Sequence, residues 1–204
     1  MTDALRRHSG RPLTDEFFAR SVLDVARDLV GCALVVDGVG GVIVETEAYR
    51  GDEPACHAYV GLTPRTEPLF GPPGHAYVYL SYGVHSLLNA VAEPEGSAAA
   101  ALIRALEPRW GIERMRARRG VEDERLLCSG PGRLTQALGV GLGLNRHSLS
   151  APPLALFEPG ESWSDRTVAV APRVGITRAV ELPWRYCAAT SRHLSRPLPR
   201  ARAA

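Results

Sequence analysis

The stretch Val42–Tyr49, VIVETEAY, limits the fold more than any other part of the chain. Val42, Ile43 and Val44 are apolar and β-branched, the composition of a buried strand. Glu45, Glu47 and Tyr49 then recur at every second position. Side chains of a strand alternate between faces, so these three polar groups share one face. An edge strand with a solvated acidic face has this pattern. So does a strand that leaves a core and aims two carboxylates and a phenol at a site.

The flanking segments fit an antiparallel sheet. Cys32–Val36 reads as a strand, Asp37-Gly38 as a turn and Gly40–Tyr49 as the returning strand of a hairpin. Upstream, residues 1–13 are polar and basic, a flexible arm. Thr14–Val30 has helical periodicity, with a capping box at Ser21–Asp24 and Gly31 as a stop. Residues 50–74 form a long Gly- and Pro-rich loop, and a loop of that length is functional or disordered; His57, Tyr59 and Arg65 within it favour function. His75–Val91 puts Tyr77 and Tyr79 on one face of a strand, turns at Tyr82-Gly83 and runs back. Ala98–Leu106 fits a third strand, although its alanines also allow a helix. Residues 108–119 read as a short helix whose arginines are either a solvated face or a phosphate contact. Ser129–Val140 begins as a loop and continues as a helix, with Ser129 as its N-cap. Leu154–Glu158, Thr167–Ile176 and Trp184–Ala188 are short strands, and residues 191–204 make a basic, disordered C-terminal tail. The expected fold is α+β: a single domain over residues 14–190, with a curved, mostly antiparallel β-sheet flanked by helices and a protruding β-hairpin.

Composition excludes several functions. The net charge of this 204-residue chain is only +2, so no broad positive field is available for binding nucleic acid. The chain has no lysine, and every basic residue other than histidine is arginine; no ε-amine can form a Schiff base. Cys32, Cys56, Cys128 and Cys187 have no C-x-x-C spacing, which argues against a zinc site or a disulfide framework and for reduced cytoplasmic thiols. No apolar run approaches the length of a bilayer span, and the N-terminal MTDALRRHSGRP lacks the apolar region of a secretion signal.

Glu45, Glu47, Tyr49, His57, Tyr77, Tyr79, Tyr82, Asn89 and Arg104 concentrate between residues 42 and 104, and four of the six tyrosines are among them. Aromatic rings with an acid and an arginine suit a flat, π-rich ligand near a phosphate. A carboxylate there can activate water, and an amide such as Asn89 can read a base edge. Each has a plainer reading: tyrosines pack strands, a loop histidine is hydrogen-bonded at the surface, Asn89 satisfies backbone, Arg104 pairs with an acid.

VETEAY, HAYVGLTPR, GHAYVYLSYGVHSLLN, LIRALEP and LCSGPGRLTQAL, followed by APRVGI and WRY, together resemble the alkyladenine (3-methyladenine) DNA glycosylase family, in family order over residues 14–190. The resemblance implies roles. Glu47 falls at the water-activating base and Arg104 at an arginine that contacts the backbone and helps position that water. Tyr49 and His57 fall on one wall of the base pocket, with Tyr79 opposite. Asn89 falls where a side chain excludes the 2-amino group of guanine, and Tyr82 where a residue intercalates into the duplex. The implied protein is a monomer without cofactor or metal, cytoplasmic and nucleoid-associated in a bacterium. It flips alkylated or deaminated purines out of double-stranded DNA and hydrolyses their glycosidic bonds. Without a lysine it leaves an abasic site and an unbroken strand. The rival expectations are a non-catalytic nucleic-acid binder using the same aromatic pocket, a hydrolase of free nucleosides and a metal-dependent hydrolase.

Overall fold

A computed structural model describes residues 10–163 and 167–199. The first nine residues of the expected N-terminal arm and residues 200–204 of the expected tail lie outside the described residues.

Among the described residues the sheet has nine strands, all paired antiparallel. They are β1 (Ala33–Val36), β2 (Val39–Arg50), β3 (Ala76–Ser81), β4 (His85–Ala92), β5 (Ala99–Trp110), β6 (Ser150–Ala151), β7 (Leu154–Phe157), β8 (Val168–Ala171) and β9 (Arg185–Ala188). The order is β3-β4-β5-β2-β1-β7-β6, and the outer half of β2 pairs instead with β9, which carries β8. This switch of partner along β2 curls the sheet, and β2 sits at its centre.

Two register irregularities between β2 and β5 shape the site. Ile43 pairs with Leu106 and Glu45 with Ala105, so Val44 has no partner; Thr46 then pairs with Ile103, so Arg104 has none. Such bulges bend a strand and re-aim its side chains. Beyond them, Thr46 and Ala48 turn to the helical layer, where the Thr46 hydroxyl donates to Ala26 O at 2.6 Å. Glu45, Glu47 and Tyr49 take the other face with Arg104. At the near end of β2, Gly40 and Gly41 lie against backbone on both sides: a Cβ there would sit 2.2 Å from Leu34 O and 2.2 Å from Glu107 O respectively. Gly41→Ala is therefore expected to lower the free energy of unfolding by about 2–3 kcal/mol, read as a lower urea midpoint with an unchanged slope.

The helices are α1 (Asp15–Phe18), α2 (Val22–Asp28), α3 (Ile112–Arg119), α4 (Glu124–Leu127) and α5 (Pro131–Leu138). The expected single helix over 14–30 is two. Ser21 caps α2 by accepting from Leu23 N at 3.3 Å, and Val22 N donates to Glu93 Oε1 at 3.1 Å, so the chain restarts there instead of continuing from α1. Val22, Val25, Ala26 and Leu29 form its buried stripe against the sheet. The helix expected from residue 108 begins at Ile112, because β5 runs on to Trp110 and Gly111 turns the chain at φ 70°. Several of its arginines also have partners within the protein. Arg116 pairs with Glu113 and Glu124, Arg118 donates to Ala137 O, and Arg119 donates to Gln136 and Leu127 O, fastening α3 to α4 and α5. Ser129 does not cap α5; Gly130 holds that position and the Ser129 hydroxyl accepts from Arg133.

The main core lies between α2, α5 and the inner face of the sheet, with Phe18, Leu29, Ile43, Leu88, Ile103 and Leu134 fully buried. A smaller cluster of Cys56, Leu69, Tyr77, Val91 and Ala100 ties the 50–74 loop to the outer face. That loop carries two 3-10 turns, His57–Val60 and Glu67–Phe70. β3 and β4 project as a hairpin whose tip is Tyr82-Gly83, both at positive φ, with Tyr82 94% exposed.

Candidate active site

Strand register puts the polar groups on one face. Tyr77 pairs with Asn89, Asn89 with Leu102, Leu102 with Glu47, and Glu47 with Arg185, so one row crosses five strands. Over this face opens a cavity of about 750 Å³, a volume suited to a nucleotide-sized ligand. Tyr49, His57, Tyr79, Asn89 and Arg104 line it, and Tyr82 stands at its rim. All the pocket residues anticipated from the sequence thus reach one cleft.

Glu47 lies just behind this wall and is fully buried. Its Oε2 accepts from the Tyr49 hydroxyl at 2.8 Å and from Arg104 Nη1 at 3.0 Å; its Oε1 accepts from Val174 N at 2.6 Å. A carboxylate has about four lone-pair sites, and three are used. The remaining one is on Oε1, beside Val174, which lines the cleft. Burial raises the Glu47 pKa above the ordinary carboxylate value, and the opposing pull of Arg104, of the Val174 N–H and of the Tyr49 hydroxyl does not cancel that. Burial works against the charge of Arg104 too, but Glu47 and Glu45 hold its pKa above the ordinary value, so it stays a cation.

Glu45 belongs to the same buried network. Its Oε1 accepts from Arg104 Nε at 3.0 Å, Arg185 Nε at 2.8 Å and the Ser195 hydroxyl at 2.7 Å, and its Oε2 accepts from Ser195 N at 2.6 Å. Arg104 Nη2 donates in turn to the Ser195 hydroxyl at 3.2 Å. Two carboxylates and two guanidiniums balance in charge inside the protein, each with hydrogen-bond partners, as buried charges require.

A second buried pair sets the Val174 N–H. Arg173 grips Glu53 through two hydrogen bonds, at 2.7 and 3.0 Å, and donates to Ala48 O at 3.0 Å. Its guanidinium lies 4.7 Å from the Tyr49 ring centre and 5.3 Å from that of Trp184. Neither Arg173, Val174 nor Ser195 was legible in sequence as part of the site: the strand expected over Thr167–Ile176 ends at Ala171, so Arg173 and Val174 follow it in a loop, and they and Ser195 meet β2 from 125, 127 and 150 positions away.

On the aromatic side His57 packs edge-on to Tyr79 at 4.5 Å, and Tyr79 stacks on Tyr77 at 5.3 Å. His57 and Tyr79 are therefore one continuous wall, and the expected arrangement with Tyr79 across from His57 is corrected. A base stacked between two rings needs roughly twice the aromatic contact distance of about 3.5 Å. Arg65 Nη2 lies 3.4 Å from His57 Nε2 and its guanidinium 5.7 Å from the Tyr79 ring centre. A guanidinium only donates, so Nε2 accepts and the ring proton sits on Nδ1, facing the Tyr77 hydroxyl at 3.1 Å. Burial, then Arg65, lower the His57 pKa, which keeps the ring neutral near pH 7. Asn89 donates to Tyr77 O at 3.0 Å, so its amide serves the backbone and the cleft at once. Among the described residues no group of three His, Cys, Asp or Glu side chains could hold a metal ion, and no helix is long and apolar enough to cross a membrane.

The tyrosine-lined cleft is backed by the buried Glu47 carboxylate, an arrangement that can hold a flat, ring-bearing ligand beside a proton acceptor. Comparison with known proteins gives the class. The profile of the family described as methylpurine-DNA glycosylase (MPG) matches residues 16–192. A protein of Nitrobacter winogradskyi is 57% identical over 188 residues, which are 92% of this chain and 89% of the relative. One of Bradyrhizobium diazoefficiens is 56% identical over 191 residues, 94% of each chain. One of Rhizobium meliloti is 55% identical over 181 residues, 89% of this chain and 95% of the relative. All three carry the name "Putative 3-methyladenine DNA glycosylase". The chain belongs to the methylpurine-DNA glycosylase family, and it is an enzyme of DNA repair.

Proposed function

We propose that this glycosylase turns alkylated or deaminated purines out of duplex DNA and hydrolyses the bond between base and sugar, leaving an abasic site in an unbroken strand. The observation that carries the reading is the Glu47 carboxylate, held by three donors behind the tyrosine cleft with one lone pair to spare.

The base enters between Tyr49 and the His57–Tyr79 wall. Alkylation at N3 or N7 makes a purine cationic, and a cation over aromatic faces gains about 0.5–2 kcal/mol. Neutral His57 adds no repulsion. A water bound at the open lone pair of Glu47 Oε1 gives its proton to the carboxylate as its oxygen bonds to the anomeric carbon. From an alkylated purine the glycosidic electron pair leaves with the base, whose positive charge it neutralises; a deaminated purine, which carries no such charge, takes up a proton from solvent as its bond breaks. Ionised Glu47 also stabilises the positive charge that develops on the sugar. Arg104 keeps Oε2 occupied, so the reactive lone pair is the one on Oε1. Nothing in this sequence of steps attacks the sugar with an amine, so the strand survives.

Release of 7-methylguanine or 3-methyladenine from a duplex, in the presence of chelator, tests the reading. The product strand is expected to break only after hot alkali. Breakage without alkali contradicts the hydrolytic route, and equal activity on the free nucleoside contradicts the need for duplex.

Tyr82 offsets part of the cost of unstacking, a few kcal/mol, by filling the vacated space. Its nearly complete exposure at a left-handed tip leaves it no packing role in the folded chain. Tyr82→Ala is expected to weaken extrusion on the order of tenfold or more, the worth of one stacked ring, with a smaller change in the single-turnover rate at saturation. Fluorescence of a 2-aminopurine beside the lesion reads the extrusion equilibrium.

A further inference from the structure

The residues after β9 do not hang free of the site. Glu45 takes both the N–H and the hydroxyl of Ser195. Arg185, itself bound to Glu45, donates to Arg196 O. Two successive residues of the C-terminal segment are thus clasped by buried charges, 150 positions from Glu45. The clasp puts the Ser195 hydroxyl where it donates to Glu45 Oε1 at 2.7 Å and accepts from Arg104 Nη2 at 3.2 Å. Arg104 is therefore gripped along its far edge by Glu45 and Ser195, and its near nitrogen, Nη1, is left pointing at Glu47 Oε2.

We propose that Ser195 is a positioning residue for the reaction: the C-terminal segment carries the hydroxyl that orients Arg104 and, through it, the Glu47 carboxylate. The inference rests on Glu47 being the hydrolytic base. Ser195 itself does not line the cleft. Its contribution is to keep Oε2 of Glu47 engaged, so that Oε1 alone faces the water.

A titration effect follows. The charged and titratable groups around Glu47 are Glu45 and Tyr49 on its own strand, Arg104 on β5, Tyr79 on β3, Arg185 and Cys187 on β9, and Arg173 on the loop after β8. Of these Arg104 exerts the largest pull against burial. Without the Ser195 hydroxyl, Arg104 Nη2 loses its acceptor and the guanidinium can swing away from Glu47. The Glu47 pKa then rises further. Base release is lost as pH falls through that pKa, so the acid limb moves to higher pH.

The test is single-turnover release of 7-methylguanine across pH by the full chain and by Ser195→Ala, Ser195→Thr, Ser195→Val and Glu47→Gln. The rate at each pH is divided by the folded fraction of the variant, read by circular dichroism on the same samples. Ser195→Ala is expected to slow release near pH 7 on the order of tenfold and to move the limb up by about half a unit or more. Thr and Val have the same shape and differ in the hydroxyl; the limb of Ser195→Thr should stay near wild type and that of Ser195→Val should follow Ser195→Ala. A limb that does not move in Ser195→Ala, or that moves equally in Thr and Val, overturns the positioning role, whatever the melting temperatures do. Undiminished release by Glu47→Gln instead overturns the reading of Glu47, and the role of Ser195 with it.

Discussion

Glu47→Gln is expected to slow single-turnover base release by about 10²–10⁴-fold, the range for loss of a general base, with lesion binding retained. The amide keeps the shape of the side chain and can still accept from the Val174 N–H. It cannot take a proton from water, and it carries no charge to face the developing cation on the sugar. Its NH2 group meets Arg104 Nη1, donor against donor, where the carboxylate accepted at 3.0 Å. Arg104 retains Glu45 and Ser195 as partners, so the fold should hold. Binding is measured on the same lesion duplex as release, which separates a failed reaction from a lost site.

Arg104→Leu should have the largest effect on the protein as a whole. Glu45 would keep Arg185 and Ser195, but Glu47 would stay buried with only the Tyr49 hydroxyl and one backbone N–H. Breaking a buried pair from one side costs about 3–5 kcal/mol. The cost depends on pH, and its sign is fixed. Burial already raises the folded pKa of Glu47, and loss of Arg104 raises it more. A carboxyl whose folded pKa exceeds its unfolded one binds extra protons on folding, so stability is greatest below the unfolded value and falls as pH rises through the folded one. The deficit of Arg104→Leu should therefore be smallest near pH 4, about the unperturbed value for Glu, and grow toward neutrality. Urea unfolding at acid and neutral pH measures it. A deficit that shrinks with rising pH contradicts the assigned partnership.

Most strands were legible in the sequence because they carried their own pattern; the two-residue β6 was too short to carry one, and the last residues of β5 were expected as helix. The Asp37-Gly38 turn falls where the chain reverses between Val36 and Val39, and the alternation of Glu45, Glu47 and Tyr49 survives because the bulge at Val44 precedes it. The aromatic residues were found for the same reason, on strands or in one conspicuous loop. The hidden parts depend on distance along the chain. Nothing local in APRVGI shows that Val174 offers its N–H to Glu47, and nothing in a Pro- and Arg-rich ending shows that Ser195 is clasped by Glu45. Glu45 receives no role from the sequence because two of the partners that give it a task, Arg185 and Ser195, lie 140 and 150 residues downstream. The helical pattern over 14–30 divides at the capping box read at Ser21, because a cap begins a helix instead of continuing one.

We propose that one buried carboxylate, Glu47, must be ionised for the base to leave. The pH dependence of single-turnover 7-methylguanine release by the wild-type enzyme tests it most directly. The predicted result is a rate that falls toward acid along a single-proton limb, with a midpoint above the ordinary glutamate value of about 4.3, and a residual rate in Glu47→Gln that lacks this limb. A wild-type rate that stays level through that range, or a limb that persists unchanged in Glu47→Gln, would contradict it.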